Sequence, residues 1–208
     1  MSEDRADRRL VLVYAPAEAR AALAALFALD DALGAILRST REPMVGQMRL
    51  TWWHQALVAL DGAPPPANPV LQDLAHAVVS KVPGATLAAM IDGWEALLDE
   101  PLDAVAMERF AAARGGGLFA AAAAVLDVEH PALDEAGAGW ALADLAHHLG
   151  DPGQAALAGR LAAPRLRAAM RARWPGRGRA LGALVLLARG SGSPGVVARL
   201  LWHRATGL

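Results

Sequence analysis

The sequence predicts an all-α fold, a single-domain helical bundle spanning residues 1–208. Three observations predict it. Apolar residues recur at three- and four-residue spacing along most of the chain. Ala and Leu dominate, Arg is frequent and β-branched runs stay short, which favours helix over strand. Proline and glycine clusters punctuate the pattern at helix-length intervals, and no repeat or convincing strand is visible.

The elements follow in order. A first helix is expected from about Ala17 to Ser39. A second starts near Pro43, a favourable first-turn residue, and stops before Gly62. GAPPPANP, residues 62–69, is the clearest linker. A third helix follows, with Asn68 as N-cap and Pro69 at its first position. A fourth covers about Thr86 to Leu98. A fifth runs from near Asp103 through Arg114 and three glycines to Leu126. Each glycine costs about 1 kcal/mol against alanine, so that helix should loosen or kink. A sixth spans about Pro131 to Leu149. Beyond Pro152, shorter segments cut by Pro164, Pro175 and Pro194 are expected.

Composition excludes several function classes. Hydrophobic residues make up 55% of the 208, enough for a sizeable core. The net charge of −1 argues against nucleic acid as a partner. With no cysteine, disulfides, thiol catalysis and cysteine metal sites are excluded. Arginine supplies nearly all basic charge, Lys81 being the only lysine. The longest uncharged apolar run, Gly115 to Leu126, falls short of the roughly 20 residues a membrane span needs. The apolar run Leu10–Ala15 is too short for a signal segment, and Arg8-Arg9 is a weak twin-arginine match. The expectation is a cytoplasmic protein with no transmembrane segment.

FALDDALGAI, residues 27–36, carries the main chemical question. Leu23, Phe27, Asp30, Gly34 and Leu37 share one helical stripe, so Asp30 lies in line with core residues. A charge there is costly unless paired or coordinated. Acids one turn apart on a helix can share Mg²⁺, which often bridges carboxylates to phosphates. Here the second place is Gly34 from Asp30, or Ala35 from Asp31. Asp30 either binds a cation with little help or pairs with an arginine, with Asp31 solvated.

On the next helix, Trp52 lines up with Val45, Met48 and Ala56, and Trp53 with Leu50, Leu57 and Leu60. Both tryptophans read as core. Arg49, one turn before them, can stack on an indole or neutralise Asp30. Further on, Asp144, His148 and Asp151 stand at i, i+4 and i+7. They read either as a transition-metal set or as a solvated stripe in which Asp151 caps the turn at Pro152; His147 shares the ambiguity. Gly115 to Gly117 permit close helix packing or close approach of a ligand. The arginines of residues 165–180 read as solvated surface with Trp174 tucked inward, or as contacts for anionic lipid or diphosphate.

In order, ALFALDD, REPMVGQMRLTWWHQAL, NPVLQDLA, IDGWEALLDE, FAAARGGGLFAAAAAVL and GAGWALADLAHHLGD resemble the squalene/phytoene synthase family, most strongly over residues 8–165. GRLAAPRL adds a weak match. The most specific element is the string from Glu42 to Trp53. The resemblance implies an isoprenoid-synthase fold with a central cavity. It implies that active members join two prenyl diphosphates head to head through Mg²⁺ held on two Asp-rich helices. Asp30 and Asp31 match the start of the first such motif, and Gly34 stands where its last acid belongs. The second falls in residues 139–151, with Gly150 near the place of an acid. The chain also ends early for an active member.

Three functions follow. The first is a motif-degraded, non-catalytic member that binds or assembles, resembling the family's complex I assembly-factor branch, with a protein partner and no cofactor expected. The second is an active Mg²⁺-dependent prenyl transferase. Asp30, Asp31 and Asp144 would hold the metal, and Arg49, Trp52 and Trp53 would meet the substrate. The third is a carrier of apolar, isoprenoid-like ligands, with peripheral membrane contact at most.

Overall fold

The structure, a computed structural model, describes residues 3–40, 42–98, 101–190 and 196–208. Among these the regular elements are all helical: α1 Glu3–Tyr14, α2 Arg20–Ser39, α3 Pro43–Ala59, α4 Pro69–Ala77, α5 Gly84–Ala88, α6 Ile91–Glu95, α7 Ala104–Phe110, α8 Gly117–Leu126, α9 Leu133–His148, α10 Pro152–Arg171, α11 Arg179–Gly190 and α12 Val196–Thr206. One continuous set of buried side chains runs from Val11 to Leu200.

Three helix starts, those of α4, α7 and α10, carry polar side-chain caps. Asn68 Oδ1 accepts from the amides of Val70 and Leu71 at 3.0 and 3.3 Å, satisfying donors that a helix start leaves open. Asp103 caps α7 and Asp151 caps α10 in the same way. Asp61 reaches across the chain to accept from the amides of Gly84 and Ala85 at the start of α5.

Three features depart from the sequence expectation. α1 precedes the first expected helix; Val11 and Ala15 turn inward on the same stripe as Arg8. The expected fourth helix divides into α5, α6 and a tight turn at Ala96–Leu98. α10 runs straight through Pro164. That proline and Arg160, whose carbonyl loses its partner, are both exposed, so water can replace the bond while α10 stays packed on α9. Pro194 lies outside the described residues.

The glycine run takes a specific form. Between α7 and α8 the chain winds as a π-helical segment, Ala111–Gly116. Such wider turns commonly mark functional positions. α7, this segment and α8 form one continuous run, Ala104–Leu126, which is long and apolar enough by composition to cross a membrane. Most of its most apolar window is buried inside the fold, as in a core helix.

A Cβ on Gly115 would collide with the carbonyl of Gly137, and one on Gly137 with the carbonyl of Gly115. The π segment and α9 therefore meet backbone to backbone. Trp174 is buried and stacks on His130. Several arginines around it are engaged by protein groups: Arg165 with Glu108, Arg177 with Glu18 and Asp127, Arg173 with the Thr206 carbonyl.

Candidate functional site

The Asp30 carboxylate sits at the meeting point of α1, α2, the π segment and α9. Its stripe packs inward, and Asp30 is 1% exposed. Arg114, on the π segment and 2% exposed, donates from Nε to Asp30 Oδ1 at 2.7 Å and from Nη2 to Oδ2 at 2.8 Å. This bidentate geometry is the strongest an arginine offers a carboxylate. Its Nη1 reaches Asp144 on α9 at 2.5 Å. From α1, Arg8 adds a bond to Asp30 Oδ2 at 2.6 Å and another to the Phe27 carbonyl at 2.9 Å. Arg8 also pairs with the half-exposed Asp31 at 2.9 Å. Three carboxylates thus face two guanidinium groups.

Aromatic rings box the Arg114 guanidinium. Its central carbon lies 4.5 Å from the Trp94 ring, 4.6 Å from Trp140 and 5.2 Å from Phe110. Each contact is favourable for a desolvated cation. Gly34 makes room for this arrangement. A Cβ there would lie 3.0 Å from the Trp94 ring and 2.8 Å from an Arg38 nitrogen. The space an acid at position 34 would enter is filled by Trp94 and the Arg38 head group.

Burial alone would raise the Asp30 pKa. Arg114 and then Arg8 outweigh it and hold Asp30 at about 2. For Arg114, burial disfavours the charged form, but Asp30 and Asp144 outweigh it and drive the pKa upward. The Asp30–Arg114 pair is therefore ionised throughout the physiological range.

Beside it opens a cavity of about 290 Å³. Its walls include Leu37, Trp94, Leu102, Phe110 and Leu149, with Arg114 and Asp144 on its lining and Arg38 and His148 among its other polar groups.

The residues singled out in the sequence divide. Asp30, Asp31 and Asp144 come together around the two arginines. Arg49 does not reach Asp30: it is exposed and donates to Ser39 and Thr40 at 3.0 Å each. The pairing expected from Arg49 is made by Arg114 and Arg8 instead, because α3 turns its Arg49 side toward the end of α2. Trp53 is buried with Leu50, Leu57 and Leu60. Trp52 is not core: it is 46% exposed, in one stripe with Met44 at 75% and Met48 at 61%. The i, i+4, i+7 stripe of Asp144, His148 and Asp151 does not form, since α9 ends at His148 and Asp151 caps α10. His148 bonds the Asp144 carbonyl at 2.8 Å, and His147 the Ala143 carbonyl at 2.6 Å.

Sequence reading missed Arg114 and Arg8 as site residues. Arg114 carried a signal: it is the only charged residue from Phe110 to Leu126. A lone charge inside an apolar helical run points to a buried partner.

The Mg²⁺ that the family resemblance implies would have to be held by this donor set. Both Asp30 oxygens and one Asp144 oxygen are in hydrogen-bond contact with guanidinium groups. Among the described residues, no three His, Asp or Glu side chains are grouped so as to hold a metal ion. As arranged, these residues do not fit a divalent cation.

Comparison with curated proteins and with solved structures returns no match. The family model for squalene/phytoene synthase matches residues 3–172, which include α1, Asp30, Arg114 and Asp144. The helical fold and the match over most of its length place the chain in the squalene/phytoene synthase family.

Proposed function

We propose that this family member is non-catalytic and acts by binding or assembly rather than by joining prenyl diphosphates. The observation that carries this reading is the Arg114 guanidinium, bonded at once to Asp30 and Asp144. Holding diphosphate through Mg²⁺ needs free carboxylate oxygens. Here those oxygens neutralise arginines, and Trp94 fills the space above Gly34. Undoing the arrangement would mean breaking a buried, charge-assisted network, which is strongly unfavourable. The resemblance to the complex I assembly-factor branch points the same way. So does the outward face of α3, where Met44, Met48 and Trp52 are exposed on a helix whose sequence holds one arginine, Arg49, and no lysine, aspartate or glutamate.

The cavity supports a second reading, a holder of an apolar ligand. Its walls are mostly leucine and aromatic, as small-molecule pockets are.

Calorimetric titration with a C15 prenyl diphosphate, with and without Mg²⁺, tests both readings alongside a condensation assay. The expected result is no Mg²⁺-dependent binding and no product. Equal binding of the prenyl alcohol and the diphosphate without Mg²⁺ would favour the apolar-ligand role. Micromolar binding that requires Mg²⁺ and disappears in Asp30→Ala, or any condensation product, would overturn the non-catalytic reading and restore the prenyl transferase.

A further inference from the structure

We infer that the cavity between α9, α10 and α11 is a binding site for the phosphate group of a small phosphate monoester, held by His147, Arg167 and Arg189. The inference starts from charge along the sequence. The net charge of −1 conceals an asymmetry: ten arginines follow Asp151, and no aspartate or glutamate does. A segment that gathers one sign of charge attracts the opposite sign from solution. Several of these arginines are engaged within the fold. Arg165 and Arg177 pair with carboxylates, and Arg173 and Arg179 donate to backbone carbonyls. Arg160, Arg167 and Arg171 are exposed and share one face of α10 by their spacing. They have no hydrogen-bond or ionic partner among the described residues.

Geometry adds the cavity, which measures about 220 Å³. Alanines of the three helices, with Leu166 and Gly159, form its apolar walls, and no acid lines it. A Cβ on Gly159 would meet nothing within 4 Å, so the space is open on the α10 side. α9 separates this cavity from the one beside the Asp30–Arg114 network. Asp144, Leu145 and His148 line that one, whereas Ala143, Ala146 and His147 line this one.

Three polar side chains complete the lining. Arg167 brings an unpartnered guanidinium. Arg189 donates from Nη1 to the Met170 sulfur at 3.3 Å, a weak acceptor that a phosphate oxygen can displace. His147 donates from Nδ1 to the Ala143 carbonyl at 2.6 Å, which leaves Nε2 for a ligand. Two like charges at one opening repel until an anion joins them. Guanidinium forks match phosphate oxygens in pairs, and a phosphate dianion answers both arginines where a carboxylate answers one. The cavity is smaller than most ligand pockets, so it fits a phosphate with a short apolar body. A soluble ester and the headgroup of phosphatidic acid share that chemistry. The site lies apart from the carboxylates that carry the non-catalytic reading, so the two stand or fall separately.

The experiment uses the full chain. Butyl phosphate is the probe, titrated by calorimetry at low salt, with butyrate alongside. Wild type is expected to bind butyl phosphate at one site with a dissociation constant on the order of 1 mM, the affinity that a few charge-assisted bonds leave after the cost of association. Butyrate should bind at least about tenfold more weakly. Arg167→Gln and Arg189→Gln should each weaken butyl phosphate binding about tenfold. Gly159→Leu should fill the cavity and abolish binding with the circular dichroism unchanged, since leucine also favours helix over glycine. Arg9→Gln, which removes an exposed arginine of α1, should leave the affinity as it is.

A second arm floats the protein on phosphatidylcholine vesicles with and without about 20 mol% phosphatidic acid. Flotation that needs phosphatidic acid and is lost in Arg167→Gln and Gly159→Leu would assign the phosphate to a lipid headgroup. Butyl phosphate binding without flotation would assign it to a soluble ester. Three results overturn the inference. One is variants that bind and float like wild type, which would leave only a diffuse basic surface. Another is butyrate binding as tightly as butyl phosphate. The third is wild type that neither floats nor binds butyl phosphate up to about 20 mM.

Discussion

Replacing Arg114 by methionine in the presence of EDTA is the most informative single perturbation of stability. Methionine keeps much of the apolar stem between Trp94 and Trp140 but removes the charge. Three short bonds disappear, two to Asp30 and one to Asp144. Charge-assisted bonds contribute about 1.5–3 kcal/mol each, which gives a gross loss of roughly 5–9 kcal/mol. Two features reduce it. Arg8 remains on Asp30 at 2.6 Å, and Asp144, with 17% of its side chain exposed, can regain water. Breaking a buried pair from one side costs about 3–5 kcal/mol, and the net effect should fall in that range. For a chain of this size it corresponds to a fall in melting temperature of about 6–20 °C.

Urea unfolding of wild type, Arg114→Met, Asp30→Asn and the double variant closes the cycle. The coupling between the two positions should be about 2–3 kcal/mol, with the double variant more stable than additivity allows. If Arg114→Met lies within about 1 kcal/mol of wild type, or if the two effects simply add, the buried network does not hold these helices together and the reasoning is refuted.

The acid limb of stability should report Asp30. Its folded pKa of about 2 lies below the ordinary value, so its contribution is present above pH 4 and is lost as pH falls from about 4 toward 2. The amount is about 2 kcal/mol, and Asp30→Asn should remove that part of the slope in urea titrations across this window. Gly34→Asp should destabilise by about 1–3 kcal/mol, because its Cβ meets Trp94 and Arg38. It should produce no Mg²⁺-dependent binding by calorimetry, since Asp30 stays engaged. Trp53→Ala should cost about 3–5 kcal/mol as a core truncation, whereas Trp52→Ser should stay within about 0.5 kcal/mol in the same unfolding assay. Gly115→Ala should fail to reach the native fold by circular dichroism, because its methyl group has no space beside the Gly137 carbonyl.

The sequence by itself determined most of the helices and most of their inward faces. The spacing of Leu23, Phe27 and Asp30 placed the carboxylate among core residues, and Leu50, Trp53, Leu57 and Leu60 are buried as their periodicity requires. Asn68, Asp103 and Asp151 marked helix starts because capping acts over two or three residues, a range that local sequence encodes. Local pattern failed where packing from elsewhere intervened. The periodicity of α3 could not say which of its two apolar faces would be covered, and Trp52 is on the uncovered one. Pro164 reads as a helix stop until α9 is laid alongside α10.

Only the tertiary structure decided what neutralises Asp30. Its partners stand 84 and 22 positions away in the chain, and electrostatic pairing depends on separation in space. Arg49 was close in sequence and is directed elsewhere; Arg114 was distant and is brought in by a π-helical turn and a pair of facing glycines. Gly34 likewise changes meaning in three dimensions. In the sequence it is the place of a missing acid. In the fold it is the surface on which Trp94 rests while covering the arginine that occupies the site.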